Sequence, residues 1–231
     1  LSVVSVAPLG AHRARFVLAG APGVASAPLA CALRTALLTT LEGGAVTAVG
    51  LRTEAGVVAH EFVELPGVEE TVSDVLLAAK QLRLHLPREG DHAVTLSLRG
   101  PRVVTSADIP EHEGLRLLTR DVRLCALGPG AQLTVVLHCR RGRGEDLAAS
   151  RDPSQVPPDT LPIDALFSPV LQVHVAAGRG ADALELELEL ETDGSITPEL
   201  AVAMALGALA AEAAAPRAHE AQGNIVTSSK S

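Results

Sequence analysis

Leu184, Leu186, Leu188 and Leu190 alternate with Glu185, Glu187, Glu189 and Glu191, a period of two that sends each residue type to its own face of an extended chain. Both residues favour helix, but a helix would spread this pattern around its circumference and bury nothing cleanly. The pattern therefore predicts a half-buried strand. Asp193-Gly194 then marks a turn, Thr197 an N-cap, and Pro198 the first residue of a helix, where a missing N–H leaves no bond unmade. This helix runs to about Ala215, before Pro216. From Leu200 to Ala211 it carries no charge, and Leu200, Val202, Met204, Leu206 and Leu209 lie all around it, so it must be covered on more than one side.

A second helix of the same character runs from Pro28 to Leu41, with Arg34 as its only charge and Gly43-Gly44 as its close. One sheet covers one side of each helix. The other sides are covered either by the same helices of a second copy, in a two-fold symmetric dimer, or within the core of a monomer. Periodicity alone leaves both open.

Elsewhere the pattern is mostly of strands. Residues 1–20 predict one or two, through Val3, Val4 and Val6 and then Phe16 and Leu18. Ala45–Leu51 and Val57–Phe62 follow, with a turn at Gly56. Val68, Val72, Val75, Leu76 and Ala79 share a helical face over 68–80, with acids early and Lys80 late, as the helix dipole favours. Strands are expected at 82–86, 94–98, 122–127, 133–139 and 170–176, divided by turns at Gly90, Gly100 and Gly128-Pro129-Gly130. Residues 145–160 read as a surface loop and those after Pro216 as a disordered tail.

No internal repeat stands out. The predicted fold class is α+β and discontinuous. Residues 1–46 and 166–215 build a lobe of one sheet and two apolar helices, 47–165 form a strand-rich inserted lobe, and 216–231 are a tail.

The composition narrows the functions available. A chain of 231 residues with 47% hydrophobic content builds its core without disulfides. Cys31, Cys125 and Cys139 are odd in number and lack Cys-x-x-Cys spacing, which points to a reducing compartment rather than a disulfide framework or a zinc ribbon. Apolar stretches fall short of about 20 residues, so no membrane span is expected. A formal charge of −8, with three phenylalanines and no Trp or Tyr, argues against direct nucleic-acid binding, which needs cations for phosphates and rings for bases. The start at Leu1 rather than Met suggests a processed or trimmed N-terminus, and the excess of arginine over Lys80 and Lys230 suggests a GC-rich coding genome.

Candidate chemistry is sparse. His60-Glu61 at an expected strand end forms a possible acid/base pair, and Glu111-His112-Glu113 reads as a solvated charge cluster. The histidines lack metal-ligand spacing. Arg140-Arg141-Gly142-Arg143-Gly144 opens no helix and ends in no Gly-Lys-Ser/Thr, so it is either a strand end paired with nearby acids or a partner contact. No Gly-x-Ser-x-Gly elbow is present. By exclusion the chain reads as a scaffold.

Taken in order, several motifs resemble the N-terminal domain of the alpha subunit of bacterial-type multisubunit RNA polymerase. They are Ala32-Leu33-Arg34 with Leu37-Leu38; Gly44-Ala45-Val46-Thr47; His60-Glu61-Phe62; Pro66-Gly67-Val68-Glu69-Glu70 with Leu76-Leu77 and Lys80; Val104-Thr105-Ser106-Ala107-Asp108-Ile109; Arg141-Gly142-Arg143-Gly144; Ile163-Asp164-Ala165 with Phe167-Ser168-Pro169-Val170; and Glu191 through Glu199. The match is collinear over about 16–211.

The resemblance implies a homodimer formed through the first and last helices, with Leu29, Leu33, Leu37, Val202, Leu206 and Leu209 at the seam. It also implies a platform for two large catalytic subunits, with no catalytic residue, cofactor or metal of its own. Arg34, Leu38 and His60 match the surface that meets the beta subunit, and Lys80, Ile163 and Asp164 the surface that meets beta-prime. Nucleic acid would be met only through the assembled complex.

Departures from the family pattern bear on these expectations. Ala30-Cys31 stands where Gly-Asn is usual, and Thr35 replaces the second arginine of a pair, losing a bidentate carboxylate contact. Alanine replaces an asparagine before Lys80, and Glu145 a tyrosine after Gly144. No C-terminal DNA-binding domain is expected. The implied location is a plastid or a bacterial cytoplasm. A dimeric paralogue outside the polymerase, and a stand-alone small-molecule enzyme using His60, Glu61 or Asp164, are the competing readings.

Overall fold

The structure is a computed structural model, and it describes residues 1–20, 26–110, 114–177 and 185–214. Leu184, the cluster Glu111-His112-Glu113 and the tail 216–231 lie outside the described residues. The main elements are strands β1 (Ser2–Pro8) and β2 (Arg13–Ala19), helix α1 (Ser26–Thr39), β3 (Glu42–Thr53), α2 (Val72–Lys80), β4 (His92–Arg99), β5 (Arg102–Thr105), β6 (Arg123–Leu127), β7 (Gln132–Arg143), β8 (Val170–Ala177), β9 (Glu185–Thr192) and α3 (Pro198–Ala214). The fold is α+β, and the paired strands are antiparallel.

One sheet has the order β1-β2-β9-β8. Along β9 the alternation resolves as the pattern requires. Leu186, Leu188 and Leu190 are fully buried, and Glu189 on the opposite face pairs with Arg13 and Arg15 of the neighbouring strand. Those guanidinium groups hold the Glu189 carboxyl below its ordinary range, Arg13 more strongly than Arg15. Phe16 and Leu18 of β2 continue the buried face. Helix α1 lies against β8 and α3, and α3 reaches β9 and β2, so the helices close this core with Leu33, Leu37, Val202 and Ala205.

The second sheet runs β4-β7-β3 and continues into the short strands Leu84–His85 and Arg116–Leu117. Its core gathers Val49, Leu51, Leu96, Val135 and Leu137 with the apolar face of α2. Helix α2 begins at Val72 rather than Val68 because Thr71 and Asp74 form a reciprocal cap. The Thr71 N–H donates to Asp74 Oδ2 at 3.0 Å, and the Asp74 N–H donates to Thr71 Oγ1 at 3.2 Å. Val68 instead bridges Leu127. The Thr71 hydroxyl, which also donates to Asp74 Oδ2 at 2.6 Å, and then the Thr71 N–H keep the Asp74 carboxyl below its usual value.

Gly43-Gly44 does not close the first helix. Helix α1 ends at Thr39, and both glycines lie inside β3. The reason is close approach of the chain. A Cβ on Gly43 would lie 2.0 Å from the Phe167 carbonyl oxygen, and one on Gly44 would lie 2.8 Å from that of Leu84. Phe167, in the segment that leads into β8, also packs on the second sheet. Its ring lies on Gly142, where a Cβ would meet ring carbons at 2.6 Å, and the Arg140 guanidinium sits over it at 5.5 Å. The expected strand 57–62 stops at Val57, and residues 58–71 form a loop.

Candidate functional site

Helix α3 shows one face to the core and leaves another bare. Ala201, Val202 and Ala205 are buried, whereas Leu200 is 49% and Met204 44% exposed, and Ala203 and Gly207 beside them are also exposed. Positions 200, 203, 204 and 207 form a single row on a helix. Strand β1 of the same lobe also leaves apolar side chains bare. Val3 opposes Leu18 and Val6 opposes Phe16, so both valines lie on the helix side of the sheet, yet both are exposed, as is Leu9.

This placement bears on the residues expected at a seam. Leu33, Leu37 and Val202 are fully buried in the single chain and have no surface left for a partner. Leu29, Leu206 and Leu209 are partly buried against the same core. The bare apolar side chains on this lobe include Leu200, Met204, Val3 and Val6, none of them in the expected seam; on α3, a helix apolar all round does not reveal which side meets the core.

Helix α1 exposes Cys31, Arg34 and Thr35 on one side. The Arg34 guanidinium donates to the Val173 carbonyl at 3.1 Å, and with Leu38, Gln172 and His174 it lines a groove of about 540 Å³ along β8. His60 is not in that groove. It lies in the 58–71 loop with its ring 6.1 Å from that of Phe62.

The three thiols differ sharply. Burial pushes Cys125 up to about 11 and Cys139 up to about 12, while Cys31 is exposed. Native protein is therefore expected to release close to one equivalent of chromophore quickly with an aromatic disulfide reagent, and the other two only after denaturation. Two fast equivalents would contradict the buried placement.

Lys80 and Asp164, 84 residues apart in sequence, do meet. The Lys80 ammonium donates to Asp164 Oδ2 at 3.0 Å, and the Ala148 N–H donates to Oδ1 at 2.9 Å. The Asp164 carboxyl is held below its ordinary range, first by Ala148 and then by Lys80. A depressed value means that this contribution is full at neutral pH and is lost only as pH falls through the lowered value.

Ile163 does not join that surface. Its side chain is buried, and its N–H donates to the Thr47 carbonyl at 3.0 Å, so it acts as an anchor rather than a contact. The segment is held by Arg151, which reasoning from sequence missed inside an apparently polar loop. Its guanidinium donates to Thr47 O at 2.8 Å, Asp146 Oδ2 at 3.0 Å and Ile163 O at 3.2 Å.

Burial lowers His138, with Asp91 opposing the shift, and an Asx turn to Ser154 lowers Asp152. Arg123 is raised by Glu70 and then Glu69. Each shift follows from burial, a cap or an ion pair in the scaffold, and none draws acidic and basic groups together around one cleft. Among the described residues no group of three or more His, Cys, Asp or Glu side chains could hold a metal ion, and no helix is long and apolar enough to cross a membrane. Residues 44–168, more than half of the chain, match the family model described as the RNA polymerase Rpb3/RpoA insert domain.

Proposed function

Because this chain belongs to the RNA polymerase Rpb3/RpoA insert-domain family, as an alpha-type subunit of RNA polymerase, we propose that it homodimerises and serves as the platform on which the two large catalytic subunits assemble. The polymerase would be of bacterial type, in a bacterial cytoplasm or a plastid. The observation that carries this reading is the uncovered apolar surface of Leu200, Met204, Val3 and Val6. Large apolar side chains left bare on one lobe make a candidate interaction surface, and a two-fold contact lets such a surface cover itself.

Two further surfaces are assigned in this reading to two different large neighbours. Arg34 and Leu38 border the groove beside β8, the surface proposed for the beta subunit together with His60. Lys80 and Asp164 form a separate exposed pair on the inserted lobe, proposed for beta-prime. Sedimentation of the chain alone, followed by co-purification with the two large subunits, tests the reading. A dimer that recovers both supports it. A monomer at tens of micromolar, or a dimer that recovers neither subunit, would overturn it.

Lys80→Ala separates folding from assembly. Both partners of the pair are well exposed, and such pairs contribute less than about 1 kcal/mol to stability. The variant is therefore expected to melt nearly as the parent does while recovering several times less beta-prime. A large loss of thermal stability would assign Lys80 to the fold instead. A second reading, a dimer that no longer joins a polymerase, is favoured by exposed Thr35, and recovery of a dimer without large subunits from native extract would select it.

A further inference from the structure

Among the described residues the chain passes between its two cores twice. Leu41 packs in the core beneath α1 and α3, and Val46, a few residues on, packs in that of the inserted lobe. On the return Ile163 still belongs to the inserted lobe and Val170 already to the other. Between these points Ala45, Ala165 and Phe167 form a third buried cluster that belongs to neither core. The two crossings are therefore packed against each other.

The end of β7 completes this joint. The Phe167 ring lies on Gly142, whose own Cβ would fall 2.6 Å from ring carbons. Arg140 lies over the ring at 5.5 Å, and its guanidinium is held by Asp146. The Phe167 N–H donates to the Gly144 carbonyl at 2.9 Å. Gly144, at a φ of 61°, brings β7 beside the end of α1, where the Thr39 carbonyl would lie 3.6 Å from an added Cβ. Beyond the ring, the Asp193 N–H donates to the Pro169 carbonyl at 2.9 Å, which ties the returning segment to the turn before α3.

Lobes joined by a small contact ordinarily move against each other. Ion pairs alone would not prevent this here. Glu42 meets Arg141 and Arg143, but all three side chains are about one-third exposed or more, and such pairs fix geometry weakly. The ring is enclosed to 3% exposure and rests on backbone at Gly142, so a rotation of one lobe drives it into the strand or opens a void beneath it.

We propose that Phe167, seated on Gly142 beneath Arg140, is a lock that holds the two lobes at one angle, and that this angle sets the spacing between the groove at Arg34 and the pair of Lys80 and Asp164. Those two surfaces lie on different lobes. Their use by two large subunits rests on the polymerase reading, whereas the lock itself does not. Linked contacts reinforce each other only when one geometry permits both, so a loosened joint lowers assembly without altering either surface.

The test measures the angle and assembly separately in the full chain. Spin labels on Cys31 of α1 and on Ser97→Cys of β4, both exposed positions, report one inter-lobe distance when labelled chain is diluted into unlabelled chain. Gly142→Ala places a methyl against the ring at a position whose backbone is not left-handed, and is expected to shift the distance distribution or to double its width. Phe167→Leu, which removes the ring instead, is expected to broaden it as well. In the double variant the methyl fills part of the space that the ring vacates, and the distribution should return toward that of the parent. Without labels, Gly142→Ala is expected to keep its dimer content and the protection of Cys125 and Cys139, and to recover the complete set of large subunits about fivefold less well. A distribution unmoved by Gly142→Ala, a double variant no closer to the parent than either single one, or fast-reacting Cys125 and Cys139 in Gly142→Ala, which would make the contact ordinary core packing, would each overturn the lock. A changed angle with undiminished recovery would overturn its part in assembly. If the unsubstituted chain recovers no large subunit, the polymerase reading fails, and the distance measurement still decides whether the lobes are locked.

Discussion

Replacing Leu200 and Met204 together by glutamate is expected to leave a folded chain that sediments as a monomer and no longer nucleates a polymerase. Both side chains are nearly half exposed in the single chain, and glutamate is a good helix former, so α3 and the core behind it should survive. In a two-fold contact each substitution acts twice. Fully burying an apolar side chain of this size is worth about 1.5–3 kcal/mol, and each is already about half buried, so four such groups represent about 3–6 kcal/mol of gross driving force. A micromolar dimer has only about 8 kcal/mol to lose. The introduced carboxylates add a desolvation penalty when the surfaces meet. Sedimentation velocity at about 10 μM, with circular dichroism as a check on folding, measures the outcome, and a dimer unmoved by both changes would place the seam elsewhere. Val202→Glu serves as the contrasting variant. Val202 faces the lobe's own core, so a charge there should unfold the lobe rather than dissociate a folded dimer.

That contrast also marks how far the sequence could be read. The Leu/Glu alternation of β9 and the proline-started α3 were legible because each depends on a local period and a local cap. The choice of face on α3 was not. Ala201, Val202 and Ala205 point inward and Leu200 and Met204 outward, but the helix is apolar on both sides and the positions of α1, β9 and β2 decide between them.

Gly43-Gly44 shows the same limit. Paired glycines after an apolar run are a reasonable helix stop, yet here they admit the Phe167 and Leu84 carbonyls against β3, contacts that reach Gly43 and Gly44 from distant parts of the sequence. The motifs Arg141-Gly142-Arg143-Gly144 and Phe167-Ser168-Pro169 could be recognised separately. Their joint purpose, a ring seated on a glycine under a guanidinium, required the folded chain. Lys80 and Asp164 could be named as candidates, but the bond between them could not. Phe62 was read into a strand, whereas its loop is set by buried Val58 and Leu65 and by backbone bonds to Ala126 and Gly128.

Arg151→Ala is expected to destabilise the inserted lobe by roughly 2–4 kcal/mol, more than any exposed ion pair would. The Arg151 side chain is only 5% exposed, and one guanidinium serves the strand at Thr47, the carboxylate and carbonyl of Asp146, and the carbonyl of Ile163. The penalty should fall short of that for a bare buried charge, because Asp146 keeps Arg140 and Thr47 O keeps the Ile163 N–H. The Ile163 carbonyl loses its guanidinium donor. Lysine cannot restore the arrangement, since a single ammonium does not reach acceptors spread along a planar fork, and Arg151→Lys should recover less than half of the loss. Denaturant unfolding of both variants gives the magnitudes, and a change below about 0.5 kcal/mol for Arg151→Ala would mean that water replaces the clamp at little cost. The effect should also reach the surface. Arg151 is tied to the residue before Asp164, and Ala148, three residues before it in the chain, supplies the N–H that holds the Asp164 carboxylate. Loosening this segment frees the carboxylate from its position beside Lys80, so Arg151→Ala is expected to weaken beta-prime recovery even at temperatures where the lobe remains folded.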